Sequence, residues 1–174
     1  AASDVYKRQI EPKYLDELMA FARTASHQRR QFAQSAQLFE YSFREHPEWV
    51  SDRVGQSSRY FAACTAAMAS VKDGPGAATD AAGREHWRVR SLEWLRGELF
   101  YMRRCLAART RSPEAVRDTL TYWKRDGWLA SVRGAAGLAR LPAAEARDWT
   151  KFWSDVSRTL DDAKMSEGSN RSER

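Results

Sequence analysis

The stretch Ser91-Leu92-Glu93-Trp94-Leu95-Arg96-Gly97-Glu98-Leu99-Phe100-Tyr101-Met102-Arg103-Arg104-Cys105-Leu106 decides the fold class. Leu92, Leu95, Leu99, Met102 and Leu106 recur at spacings of three and four, the period of a helix that buries one face. Trp87 and Trp94 lie alongside this stripe and read as core, because aromatic residues at helical spacing pack inward far more often than they form a cofactor box. A strand would alternate with period two, and no segment of strand length does so here or elsewhere in the chain.

Five further segments repeat the pattern. Upstream, Phe61, Cys64, Met68 and Val71 mark a helix whose small residues, Ala62, Ala63, Ala66, Ala67 and Ala69, allow a neighbour to approach closely. It ends in the breaker Asp73-Gly74-Pro75-Gly76, which opens an alanine- and glycine-rich loop over 74–83. Before it, Phe32, Ala36, Phe39 and Phe43 predict a helix that stops near His46-Pro47, since proline disfavours helix in the residue ahead of it. The first helix carries Leu15, Leu18, Ala22 and Ala25, with Pro12 in its opening turn. Downstream, Ser112-Pro113-Glu114 supplies a capping serine, a proline at the first helical position and an acid favoured by the helix dipole. Val116, Leu120 and Trp123 follow, and Asp126-Gly127 ends that helix. An irregular piece from Trp128 to Leu141 leads through Pro142 to a last helix with Trp149, Trp153, Val156 and Leu160 as its buried stripe. Residues 165–174 are polar and uncapped, and a disordered tail is expected there.

The expected fold is therefore all-α: about six helices in antiparallel hairpins, stacked as a tetratricopeptide-like α-α superhelix, because isolated hairpins cannot bury their outer faces. The expected divisions are a tail at 1–9, a module at 10–164 and the tail at 165–174; within the module, hairpins span 10–73, the loop 74–83 and the C-terminal helices 84–164. At 174 residues there is room for one domain of ordinary size. Apolar residues at 43% and charged residues at 30%, with a mean hydropathy of -0.70, describe a globular chain and exclude a disordered one. No stretch approaches the roughly 18 unbroken apolar residues of a membrane-spanning helix. Cys64 and Cys105 are too few for a disulfide framework, and His27, His46 and His86 sit at no zinc-ligand spacing. Both cysteines read as small buried residues in a reducing compartment, which places the module in the cytoplasm.

The net charge of +6 comes from 29 basic and 23 acidic residues, interspersed without a run of five like charges. That balance reads as a solvated helical surface before it reads as a phosphate-binding footprint. Residues 1–9 stand apart: Asp4-Val5-Tyr6-Lys7-Arg8-Gln9 looks like the translated end of a transposon adapter used in DNA library preparation, so the natural segment is expected to enter near Ile10. A first helix deprived of an upstream neighbour would expose Leu15 or Met19.

Ser35, Phe39, Ser42 and Pro47 fall at the spacings of the second half of a tetratricopeptide repeat, and Arg59-Tyr60-Phe61-Ala62-Ala63-Cys64 resembles the first helix of another. A longer resemblance runs from Ile10 to Lys164. It is carried, in order, by Arg59–Cys64, Leu92–Leu99, Thr119–Asp126, Leu129–Val132 with Arg133, Leu138–Pro142 and Trp149–Trp153. Together these resemble the helical C-terminal region of large bacterial serine/threonine protein kinases that carry tetratricopeptide-type repeats. The resemblance implies a scaffold or protein-binding segment that trails a kinase domain, in some relatives after a membrane segment. The chain departs from that pattern at Asp126-Gly127-Trp128, where relatives have an acidic residue and proline.

No kinase machinery lies in these residues: the glycine-rich phosphate loop and the Asp-Phe-Gly triplet are both missing. Arg125-Asp126 is no catalytic loop, since Lys124 stands where histidine belongs and Ser131 where the metal-binding asparagine belongs. The pair Asp161-Asp162 falls near the end of the last helix, where solvation is expected. No catalytic, cofactor-binding or metal-binding residue is assigned, and the expected partner is a protein or peptide held in a groove between hairpins. Two alternatives are a nucleic-acid binder using Arg88, Arg96, Arg103 and Arg104, and an architectural cap closing a repeat array.

Overall fold

The computed structural model describes residues 30–45 and 58–172, with side chains through Ser166, together with positions 20, 24, 25 and 47. The stripe expected at Leu15, Leu18 and Ala22, with the predicted exposure of Leu15 or Met19, lies outside the described residues; Ala25 is buried. The described elements are α1 (Phe32–Glu45), α2 (Ser58–Ala69), α3 (Ala81–Ala107), α4 (Pro113–Trp123), a 3-10 helix (Gly127–Val132), α5 (Gly134–Leu138) and α6 (Ala143–Ser172). No strand occurs among the described residues, and the fold is all-α.

The boundaries follow from local chemistry. Asp80 caps α3 by accepting the Gly83 N–H at 2.6 Å, and Ser112 caps α4 by accepting the Ala115 N–H at 3.2 Å, with Pro113 at the first helical position. The span from Trp128 to Leu141 is more ordered than its sequence suggests. Asp126 accepts the Trp128 N–H at 2.9 Å and starts the 3-10 helix, whose Leu129 and Val132 are fully buried. Gly134, at φ +68°, then turns the chain into α5. The tail expected from Met165 is also different: α6 stays helical through Ser172. No proline interrupts it, and extending a helix adds one hydrogen bond per residue fixed. Local ties such as Lys164 to Asp161 and Ser166 to the Asp162 carbonyl accompany the extension.

Inter-helix contacts give the directions. Ser91 donates to the Ala63 carbonyl at 2.8 Å while Arg59 approaches Glu98 at 4.0 Å, so α2 and α3 run antiparallel as a hairpin. Glu40 meets His86 and Arg90 while Phe43 packs on Trp94, so α1 and α3 run parallel, with α2 between them in sequence. Arg88, Arg96 and Arg103 meet Glu145, Asp148 and Asp155 in the same order, so α6 is also parallel to α3. Helix α4 packs mainly on α6 and only marginally on α3.

The core joins Phe32, Phe39 and Phe43 of α1 to the alanines of α2, the Trp87–Met102 stripe of α3, Leu120 and Trp123 of α4 and Trp149, Phe152 and Val156 of α6. In α2 the expected stripe is only partly buried: Cys64 is enclosed, but Phe61 and Met68, with Val71 just past the helix end, are half-buried, whereas Ala62, Ala63, Ala66, Ala67 and Ala69 are fully enclosed. Helix α2 is covered by α1, α3 and the 3-10 helix, and only small side chains fit between them. In α6 it is Phe152 that is fully buried, while Trp153 is half-buried and donates its indole N–H to the Val132 carbonyl at 2.8 Å.

Candidate functional site

Three groupings of polar and aromatic side chains stand out. The first is a hub around Asp126, in the turn between α4 and the 3-10 helix. The Tyr60 hydroxyl donates to Asp126 Oδ2 at 2.7 Å, the Cys64 thiol lies 3.7 Å from the same oxygen, and Oδ1 accepts the Trp128 N–H. Tyr60 stacks on Trp123 with centroids 4.9 Å apart and planes 10° from parallel. The Arg133 guanidinium donates to the carbonyls of Trp123 and Asp126 at 2.7 and 2.9 Å, closing the turn.

Burial, then the neighbouring Cys64 and Asp126, holds the Tyr60 hydroxyl far above the ordinary phenol range. Burial also raises the Cys64 thiol, and the Asp126 charge adds to it. Tyr122 is raised by the Asp126 charge first and by burial second. Every neighbour of this carboxylate thus keeps its proton. Cys64 remains a thiol, a poor nucleophile, and the hub serves as a hydrogen-bonded fastener. Three segments distant in sequence, Arg59–Cys64, Thr119–Asp126 and Leu129–Arg133, meet at Asp126, and Trp153 is tied to Val132 beside it.

The second grouping is the seam between α3 and α6. Arg88 pairs with Glu145 through two guanidinium nitrogens, the outer one at 2.9 Å, and their side chains are only 14% and 16% exposed. Arg96 lies 3.5 Å from Asp148. Arg103 donates to the Thr159 hydroxyl at 2.8 Å and to the Asp155 carbonyl at 3.0 Å. Lys151 donates to the Asp155 carboxylate at 3.0 Å and, with Arg103 and Arg158 nearby, holds it below the usual carboxylate range. Three of the four arginines singled out in the sequence are thus engaged with α6; Arg104 is exposed in the last turn of α3.

The third grouping is the outer face of α3, where Val89 is 45% and Phe100 63% exposed. A shallow cleft beside it, lined by Val89, Leu92, Arg96, Asp148 and Trp149, runs between α3 and α6. No sequence signal singled out Phe100, because an apolar residue off the buried stripe carries no period of its own.

The remaining sequence candidates fall apart in space. Lys124 donates to Ser157, Arg125 is exposed, and Ser131 sits half-buried in the 3-10 helix. Asp161 accepts from Lys164 at 3.1 Å, and Asp162 is exposed. Cys64 and Cys105 are both free and buried. Among the described residues no group of three or more His, Cys, Asp or Glu side chains could hold a metal ion, and no helix is long and apolar enough to cross a membrane. No protein-family model matches the chain, and comparisons with curated proteins and with solved structures find no match.

Proposed function

We propose that the chain is a non-catalytic helical protein-interaction module, of the kind that trails the kinase domain in large bacterial serine/threonine protein kinases, with a tetratricopeptide-like stacking of its helices. The parallel course of α1 and α3 with α2 reversed is compatible with that stacking. The observation that carries the reading is the outer face of α3, where Phe100 and Val89 present apolar surface to solvent and Val89 borders a cleft. The arginines flanking that face turn toward Glu145, Asp148 and Asp155, which favours a protein partner over a nucleic acid.

A photo-crosslinking residue placed at position 100 in the intact chain tests this in cells. The reading expects a protein adduct from position 100 and none from the exposed position of Asp118 on α4. Absence of any adduct at position 100 would overturn it, and retention of duplex or single-stranded nucleic acid at low salt would put the nucleic-acid reading in its place.

A further inference from the structure

The exposed stripe of α3 is palindromic. In order it reads Glu85, Val89, Glu93, Arg96, Phe100 and Arg104, all exposed and spaced by three or four residues; exposed His86 lies outside the symmetry and is paired with Glu40 of α1. About the midpoint between Trp94 and Leu95, Glu85 mirrors Arg104, Val89 mirrors Phe100 and Glu93 mirrors Arg96. The mirror continues to the ends of the helix, where exposed Ala82 answers exposed Ala107. Two such helices laid antiparallel across a twofold axis at that midpoint bring acid to base and apolar to apolar, twice over.

We propose that the outer face of α3 is a self-association surface, and that its occupant is α3 of a second copy of this chain. The proposal rests on the reading of this face as a protein-binding surface. Phe100 is the knob, and it meets exposed Val89 at the mouth of the cleft, whose walls carry Arg88, Glu93, Arg96, Glu145 and Asp148; Phe100 and Val89 lie eleven residues apart, about 16 Å along the helix. In the antiparallel arrangement the Phe100 of each copy reaches the cleft of the other. The order of acid then base along α3 also suits its own dipole, but a dipole does not place two apolar residues at equal distances from the midpoint. Glu93 and Arg96 already contact Arg90 at 2.8 Å and Asp148 at 3.5 Å; these half-exposed pairs exchange partners at little cost. One helix pair buries less than the roughly 1,200 Å² of a stable interface, so the association is weak and concentration-dependent.

The test mixes two single-cysteine variants of the full chain, Val89→Cys and Phe100→Cys, under mild oxidation; Cys64 and Cys105 are buried. The expected result is a disulfide-linked dimer in the mixture and not in either variant alone. Across the twofold axis each introduced cysteine lies about 16 Å from its own copy, beyond disulfide reach. In sedimentation, Glu85→Arg weakens self-association roughly tenfold and the swap Glu85→Arg with Arg104→Glu restores it. Equal crosslinking of either variant alone, or a monomer at every concentration, overturns the proposal. A monomer whose position 100 still captures a different protein overturns the second copy as partner and leaves the protein-binding reading standing; a monomer with no adduct removes both.

Discussion

Along α3, the side that faces α1 and α2 is closely fitted through rings and small side chains, with Glu40–Arg90 and Arg59–Glu98 as its charged pairs, whereas the side that faces α6 carries a row of three charged pairs along its length. The first interface sets Phe43 edge-on to Trp94 and leaves room only for small side chains on α2. The second is built from Arg88–Glu145, Arg96–Asp148 and Arg103 with Asp155 and Thr159. Dispersion and apolar burial do not depend on ionic strength, but exposed charge pairs do. Fit and charge thus weigh differently on the two sides: side-chain size dominates toward α1 and α2, and salt and acid act most on the row of pairs toward α6.

The largest effects are expected on the side toward α1 and α2. Phe39→Ala removes a fully buried ring and is predicted to cost about 3–5 kcal/mol in chemical denaturation, with the same value at low and high salt. At Gly76, φ is +62° and an added Cβ would stand 2.0 Å from the Arg30 carbonyl oxygen, where the loop before α3 meets the start of α1. Gly76→Ala is accordingly predicted to cost about 3 kcal/mol, read as a lowered denaturation midpoint without salt dependence. A cost there that disappears in salt would erase the distinction between the two sides.

Next comes the hub, which belongs to neither class. Asp126→Ala removes the acceptor of the Tyr60 hydroxyl and of the Trp128 N–H and is predicted to cost about 3 kcal/mol, and Tyr60→Phe about half of that. On the seam, Arg88→Met leaves Glu145 half-buried without its partner; a loss of about 2 kcal/mol is expected at low salt, shrinking as salt is added. Arg96→Ala touches a more exposed pair and is expected to cost no more than about 0.5 kcal/mol.

Acid sharpens the comparison further. The pKa of Asp155 is lowered in the folded chain, so its contribution is fully present above the unfolded value, about 4, and is lost as pH falls through the lower folded value. Acid titration of Asp155→Asn should therefore converge with the parent chain below that range, while Phe39→Ala stays offset throughout.

What could be read from the sequence divides along similar lines. The stripes Phe32–Phe43, Leu92–Met102 and Val116–Trp123 were legible because burial on one helix face imposes a period that local order records. The 3-10 helix was not, since Leu129 and Val132 are too few to show a period and owe their place to the Asp126 cap. The hub was invisible for another reason: Tyr60 and Asp126 are 66 residues apart, and only the packing of α2 against the 3-10 helix joins them. The seam was half legible. Its arginines were conspicuous, but their carboxylates sit more than 50 residues away, so a basic surface and an internal clasp looked alike. Phe100 carried no signal, because exposure is a property of the assembled helices.

The central claim is that the arginines of α3 tie the molecule together. A double-mutant cycle between Arg88→Met and Glu145→Gln, measured by chemical denaturation at low salt, tests it most directly. A coupling of about 1–3 kcal/mol that declines with added salt is the predicted result. A coupling of zero would contradict the account and return those arginines to the solvent as a charged surface.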